Sequence, residues 1–103
     1  MAFKTLYLTY APNAEPTQHR SLLDTGNYKL FSVAVTGLAQ AIEVARELVE
    51  NEGVQSIVLC PGFTHREVGE MVEAVGENVA ISIARPDGPG NRISAQIRKR
   101  EGF

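Results

Sequence analysis

The chain has 103 residues, of which 44% are hydrophobic and 21% charged, values that are typical of one globular domain and argue against a disordered chain. Its net charge of −2 argues against a general attraction to nucleic acid. No apolar run reaches the ~18 residues of a membrane helix, and the single cysteine cannot form an internal disulfide, so we expect a cytoplasmic protein without a membrane segment.

The first third of the chain predicts a strand, a helix and a second strand. Residues 3–10, "FKTLYLTY", are rich in aromatic and β-branched residues, which is typical of a β-strand. Pro16 favours the start of a short helix over about residues 16–24, which Gly26 would end. Residues 28–35, "YKLFSVAV", predict the second strand.

Two helix–strand units follow. Apolar residues recur at helical spacing over residues 38–50, which predicts a helix. The third strand is expected at 54–60, and its consecutive apolar residues indicate burial on both faces, as in a central parallel strand. A capping-box pattern that begins at Thr64 predicts a helix over 64–75, and residues 79–84 predict the fourth strand.

The end of the chain reads as a basic tail. Residues 86–91 are rich in turn formers, and after them Ile93 and Ile97 fit either a short helix with one apolar stripe or a strand added to a neighbour. We divide the chain into a single α/β domain, 1–91, which has six basic and eleven acidic residues, and a tail, 92–103, which has four of the ten basic residues.

We expect this tail to pack on the acidic domain, of its own chain or of a neighbouring subunit, or to stay solvated. If the tail packs on a neighbouring subunit, the protein is a homo-oligomer. No aromatic residue is interleaved among the four basic residues of 92–100, which disfavours nucleic acid as the partner.

The alternation of strands and helices predicts an α/β fold, with a four-stranded parallel sheet and helices on both faces. Right-handed crossovers leave few arrangements, and we favour the sheet order 2-1-3-4 of flavodoxin-like and Rossmann-like folds. If residues 13–24 are not helical, a ferredoxin-like α+β arrangement is the alternative.

This strand order also predicts where a ligand would bind. Ligands of open parallel sheets bind outside the carboxyl ends of the strands, at the point where the strand order reverses. Here that point lies between the loops 10–13 and 60–65, with Arg85, Asp87 and Gly88 after the fourth strand. The expected ligand-binding residues are Tyr10, Asn13, Cys60, Gly62, Phe63, Thr64 and Arg85.

The loop "CPGFTH" carries the candidate catalytic residues, Cys60 and His65. A thiol before a helix N-terminus is well placed to act as a thiolate nucleophile, and a nearby histidine or arginine would help. The other interpretation is structural, because a free cysteine is often simply packed in the core and His65 would lie on a solvated helix face.

The remaining candidates also allow two interpretations. A helix N-terminus after Gly62 suits a phosphate or carboxylate, yet glycine and Thr64 also fit an ordinary turn and cap. Arg85 could meet a ligand or pair with Asp87. The chain contains no nucleotide-binding glycine motif and no metal-ligand spacing, so we expect neither a cofactor nor a metal.

Three passages, "APNAEPTQHR", "EGVQSIVLCPGF" and "VAISIARPDGP", resemble a family of small uncharacterised bacterial α/β domains of about this length. The resemblance covers nearly the whole chain. In that family the segment after the third strand resembles a Cys-Gly-x-Phe loop, whereas here Pro61 stands before Gly62. The resemblance implies the fold and a site at the Cys60 loop, and it supplies no activity, substrate or cofactor.

The function is unknown from these features, and three hypotheses from different classes remain. The first is binding of a small anionic ligand by the loop from Cys60 to His65, with Arg85 as its charge partner. The second is a thiol-dependent enzyme that uses Cys60. The third is an oligomeric assembly module without a ligand, in which Cys60 is part of the core and the tail forms the interface.

Overall fold

The computed structural model describes residues 1–85 and 89–103, so Asp87 and Gly88, expected near the site, lie outside the described residues. Among the described helices, none is both long and apolar enough to span a bilayer. The elements are β1 Phe3–Tyr10, β2 Arg20–Asp24, β3 Tyr28–Val35, α1 Leu38–Glu52, β4 Ser56–Leu59, α2 His65–Val75, β5 Ala80–Ile83 and α3 Pro89–Arg100.

The sheet is mixed and mostly parallel, which confirms the α/β class. It has five strands in the order β2-β3-β1-β4-β5, so the predicted count of four strands is wrong and the full strand order differs from the predicted one. The four predicted strands, which are β1, β3, β4 and β5, keep the predicted relative order 2-1-3-4, and β2 is added at the edge. The strands β3, β1, β4 and β5 run parallel to one another, and β2 is added antiparallel at the edge beside β3. The predominance of parallel pairs also excludes the ferredoxin-like alternative.

The difference comes from β2, where the sequence predicted a helix over about 16–24. Residues 15–19 form turns instead, and the chain then pairs with β3 as a hairpin. The turn that closes the hairpin has Gly26 at a φ of 98°, and its N–H donates to Oδ1 of Asp24 at 2.8 Å. A glycine that tolerates positive φ is common in a hairpin turn as well as after a helix, so Gly26 alone does not distinguish the two.

The two faces of the sheet differ in what covers them. Side chains alternate between faces along each strand. On one face, the helix face, Leu6, Leu8, Val33 and Ile57 are fully buried in a core to which α1 and α2 contribute. Because α1 and α2 also pack on each other, they lie on the same side of the sheet. The helix predicted at 16–24 to cover the other face does not exist.

The opposite face, the open face, has no charged side chain in any of the five strands. Except for Thr5, its members are half-buried or exposed. By strand register the open face consists of Phe3, Thr5, Tyr7, Thr9, Ser21, Leu23, Tyr28, Leu30, Ser32, Ala34, Ser56, Val58, Ala80 and Ser82.

Local sequence signals predict the end of α1 and the start of α2 correctly. Gly53 closes α1 in the left-handed conformation, with a φ of 73°. At the start of α2, the N–H of Glu67 donates to Oγ1 of Thr64 at 3.2 Å, and the N–H of Thr64 donates to Oε1 of Glu67 at 2.9 Å. The predicted capping box is therefore confirmed, and Thr64 fixes the direction in which the chain leaves the Cys60 loop.

The tail was expected to form either a short helix or a strand added to a neighbour, and the helix α3 confirms the first. It begins at Pro89, inside the segment 86–91 that was predicted as turn or linker. It is exposed along most of its length, and Ile93 and Ile97 remain 59% and 45% accessible. The principal extents of the molecule are 41 × 28 × 27 Å.

Candidate functional site

A cavity of about 450 Å³ lies at the carboxyl ends of the central strands β1 and β4, beside the open face. Its size is within the range of small-molecule sites, roughly 300–1,000 Å³. Three parts of the chain form its walls: the end of β1, the loop after β4, and the end of α3. The lining residues are Tyr7, Thr9, Tyr10, Cys60, Pro61, Gly62, Arg98 and Phe103.

The strands bring polar groups to one side of the cavity. Tyr7 and Thr9 are two residues apart on β1, so alternation directs both hydroxyl side chains to the open face. Because β1 and β4 are parallel neighbours, Cys60 emerges beside them, and its N–H donates to the carbonyl of Leu8 at 3.0 Å. The cavity therefore contains two hydroxyls and a thiol on adjacent strand ends.

Cys60 is held by hydrogen bonds at the base of this loop. Its Sγ accepts a hydrogen bond from the N–H of Tyr10 at 3.2 Å, and its carbonyl accepts one from the N–H of Phe63 at 3.3 Å. The residue is only 8% accessible. The thiol thus serves as an acceptor for the backbone of β1, and it contributes to the wall of the cavity from a largely buried position.

Gly62 leaves room where a side chain would enter the cavity. A Cβ built on it would lie 3.5 Å from Sγ of Cys60 and 3.5 Å from Cβ of Tyr10, which are ordinary van der Waals distances. Its backbone is outside the left-handed region. The fold therefore tolerates a side chain at this position, and any atom beyond Cβ would reduce the space available to a ligand.

An aromatic contact joins α3 to this end of the sheet. The rings of Tyr10 and Phe103 lie edge to face, with centroids 6.5 Å apart and an interplanar angle of 81°. The N–H of Phe103 donates to the carbonyl of Arg98 at 2.8 Å, so the chain turns back after the helix. This turn places a half-buried arginine and an aromatic ring on the same wall of the cavity.

The pKa of the Tyr7 phenol is affected by its position in the wall of the cavity. Burial, with a smaller contribution from the negative charge that Cys60 can carry, raises the pKa of Tyr7 above its ordinary value of 10.0. The phenol therefore stays protonated at neutral pH, where it can donate a hydrogen bond to a bound group.

Over residues 3–97 the chain matches a family described as a family of unknown function, DUF6506. The chain belongs to this family. No curated protein and no solved structure matches it. The family assignment agrees with the resemblance seen in the sequence, and it supplies no activity or ligand. In this DUF6506 chain the matched region includes Tyr7, Thr9 and Cys60, whereas Arg98 and Phe103 lie just beyond its end.

Of the residues expected to bind a ligand, Tyr10, Cys60 and Gly62 line the cavity. Phe63 is buried in the core of the domain, at 5% accessibility. Thr64 caps α2 through its side chain, which gives it a structural role.

The other candidates lie on the surface. Asn13 is exposed, with a φ of 64° in a turn after β1, a conformation that asparagine tolerates better than most residues. His65 is exposed at the first residue of α2, and Arg85 is exposed after β5. None of the three is among the described residues that line the cavity. The expected pairing of Cys60 with His65 and Arg85 therefore has no support in this cavity.

Sequence reasoning missed five lining residues: Tyr7, Thr9, Pro61, Arg98 and Phe103. The alternation of "YLTY" could have identified Tyr7 and Thr9, because every second residue of a strand shares a face. Arg98 is one of the four basic residues of the tail, and no local sequence pattern predicts that α3 ends beside β1. Within the described residues, no three His, Cys, Asp or Glu side chains are grouped closely enough to hold a metal ion.

Proposed function

We propose that the protein binds a small organic anion in the cavity between β1, the Cys60 loop and the end of α3. The observation that carries the proposal is the charge of the lining. Arg98 contributes a guanidinium, and the described residues of the lining include no acidic side chain. Among the described residues, no acidic side chain forms an ion pair with Arg98.

A half-buried cation beside a cavity favours an anionic ligand when, as among the described lining residues, no acidic side chain compensates its charge. The planar guanidinium pairs best with carboxylate or phosphate oxygens, which it contacts through two parallel hydrogen bonds. This assigns to Arg98 the role that the sequence suggested for Arg85. The loop after β4 remains part of the proposed site through Cys60 and Gly62.

The neutral groups of the lining suit the rest of such a ligand. The hydroxyls of Tyr7 and Thr9 can donate or accept hydrogen bonds, and the rings of Tyr10 and Phe103 offer apolar surface. Small-molecule sites commonly combine a mostly apolar wall with a few polar groups. A compact anion with an apolar body therefore fits this lining better than a highly charged one, because Arg98 is the single cation among the described lining residues.

A thermal-shift series tests the proposal. Acetate, benzoate, citrate and inorganic phosphate are each titrated at constant ionic strength, with sodium chloride as the reference. A binder present at about 100 times its Kd adds about 2.7 kcal/mol of stability. At about 4–8 °C per kcal/mol, such a gain is easily measured in a chain of this size. A melting temperature that none of the four anions raises above the chloride reference rejects the proposal.

The thiol-dependent enzyme is the second candidate, and the position of Cys60 on the cavity wall is the observation that favours it. Its low accessibility and its hydrogen bond from Tyr10 favour a structural role instead. Labelling with iodoacetamide separates the two. Rapid modification of the folded protein at neutral pH supports the enzyme, and modification only on unfolding rejects it.

We also propose that the chain self-associates in a cytoplasmic setting. Self-association is supported by the exposed Ile93 and Ile97 of α3, which form an apolar pair one helical turn apart. The cytoplasmic setting is supported by the single, unpaired cysteine. Sedimentation of the purified protein and fractionation of its host cells test the two statements separately.

A further inference from the structure

The open face leaves one side of a mostly parallel sheet without a layer of packed helices. Parallel sheets normally have both faces covered, because their strands bury residues on both sides. Here α1 and α2 occupy the helix face only, and α3 is exposed along most of its length. On the open face Phe3 is 52% accessible and Leu23 is 56% accessible. Within residues 1–85 and 89–103, a large part of the sheet therefore lacks a packing partner.

The open face is suited to contact with a copy of itself. In an interface with two-fold symmetry, the same patch of the two subunits meets itself, so a patch of one charge sign would repel its own image. None of the residues of the open face is charged. The outer surface of α1 and α2 differs, because it carries several exposed glutamates, including Glu43, Glu47, Glu50 and Glu73. Self-contact through that acidic surface would be repulsive, whereas the strand residues of the open face carry no charge that would repel a second copy.

The available area matches the size of a modest stable dimer. Five strands about 4.8 Å apart and averaging about six residues, at ~3.3 Å per residue, give the open face a flat area of about 450 Å². The helix α3, at ~1.5 Å per residue and ~10 Å wide, adds about 180 Å². Two copies would bury about 1,300 Å², within the ~1,200–2,000 Å² of specific interfaces. The sheet alone would fall below this range, so α3 has to contribute.

The position of α3 allows this contribution. Its end borders the open face, because Arg98 and Phe103 line the same cavity as Tyr7 and Thr9. Its exposed apolar pair, Ile93 and Ile97, lies within the two turns that precede Arg98. A second copy seated on the open face would thus meet α3 at the margin of the contact.

We infer that the open face is the interface of a homodimer, in which a second copy of this chain packs sheet to sheet and α3 completes the contact. The inference rests on the proposed self-association and names the open face as the surface through which it occurs. Sheets that pack face to face lie ~10 Å apart, with small and medium side chains between them. The serines, threonines and leucines of the open face are of this kind, whereas its aromatic residues, Phe3, Tyr7 and Tyr28, are larger.

The edge strand β2 offers a matched pair of residues for the test. Leu23 pairs with Leu30 and therefore faces the second copy, whereas Leu22 pairs with Phe31 and faces the α1 side. Their accessibilities are nearly equal, 56% and 51%, so a lysine at either position disturbs the folded monomer to a similar extent. Only the face on which the lysine lies differs between the two variants.

The mass of the wild-type protein and of the Leu23→Lys and Leu22→Lys variants is measured by sedimentation equilibrium over a range of concentrations. We expect a wild-type mass of twice 11.2 kDa. Leu23→Lys should raise the dimer Kd by roughly 10- to 100-fold, the equivalent of the burial of one leucine, and Leu22→Lys should leave it within about threefold. Circular dichroism confirms that both variants remain folded.

A second variant, Ser82→Lys, adds a charge to the exposed part of the open face on the opposite edge strand, β5, and should weaken the dimer as well. A wild-type protein that remains at 11.2 kDa overturns both the self-association and the interface. A dimer that Leu22→Lys and Leu23→Lys weaken equally points to pairing along the β2 edge and overturns the interface alone. A dimer that withstands both Leu23→Lys and Ser82→Lys also overturns it.

Discussion

The backbone N–H of Tyr10 donates a hydrogen bond to Sγ of Cys60 over 3.2 Å. This contact joins the carboxyl ends of β1 and β4 at the point where the ladder between the two strands stops. It also holds the base of the loop that forms one wall of the cavity. The hydrogen bond gives the only cysteine of the chain a structural role between two strand ends.

Cys60→Ala removes the sulfur and leaves the N–H of Tyr10 without this acceptor. We expect the free energy of unfolding to fall by about 1–3 kcal/mol, because a part-buried donor loses its partner and a small void forms. Urea denaturation measures the change. Cys60→Ser, which retains an acceptor atom, should lose less than the alanine variant. Equal stability of the wild type and the alanine variant would show that the hydrogen bond has no structural weight.

Thr64 and His65 are neighbours for which the structure indicates different roles. Thr64→Ala breaks the capping box, and we expect a loss of about 0.5–2 kcal/mol in the free energy of unfolding. His65→Ala alters an exposed residue and should change it by less than about 0.5 kcal/mol. Both values come from chemical denaturation. A Thr64→Ala loss below about 0.5 kcal/mol would contradict the role of the cap, and a His65→Ala loss above that value would contradict the exposed position of His65.

The local features of the fold were predictable because nearby residues determine them. The capping box from Thr64 and the helix over 38–50, which extends to Glu52, depend on residues within one or two turns. The strand β2 was missed because its residues are all exposed, so no alternation marks it and the preceding Pro16 suggested a helix. Its pairing with β3 supplies the stabilisation that its own sequence does not show.

The candidate site was predictable only in part, for a related reason. The loop after β4 follows from the strand order, which places Cys60 and Gly62 beside Tyr10. The strand order does not predict Arg98 as the cation of the site, because Arg98 belongs to a helix about forty residues after Cys60 in the chain. The sequence offered Arg85 for that role because it ends a strand. No residue-level pattern distinguishes the two arginines without the packing of α3.

The raised pKa of Tyr7 predicts a pH dependence of stability. The phenol ionises at a higher pH in the folded protein than in the unfolded chain, so its contribution to stability is complete below pH 10. This contribution is lost as the pH rises from 10 through the pKa of the folded state. Tyr7→Phe should flatten the decrease of the melting temperature above pH 10. An unchanged slope in this variant would show that Tyr7 titrates as in the unfolded chain.

Gly62 provides a steric test of the cavity. Gly62→Leu should reduce binding of any anion found in the thermal-shift series, because the side chain occupies part of the space beside Cys60 and Tyr10. The stability of the free protein should change little, since the Cβ meets only ordinary contacts. Gly69→Leu, on the exposed side of α2 with open space around it, is the control and should leave binding unchanged. Equal binding by the two variants would place the ligand elsewhere.

The central claim, that Arg98 holds a small anion in this cavity, is tested most directly by isothermal titration calorimetry of the wild type, Arg98→Gln and Arg92→Gln with the anion that stabilises the protein most. Both arginines belong to α3, and only Arg98 lines the cavity. We expect Arg98→Gln to weaken binding by roughly 10- to 100-fold, the value of a charge-assisted hydrogen bond, and Arg92→Gln to retain the wild-type Kd. Equal affinities for the two variants would contradict the claim.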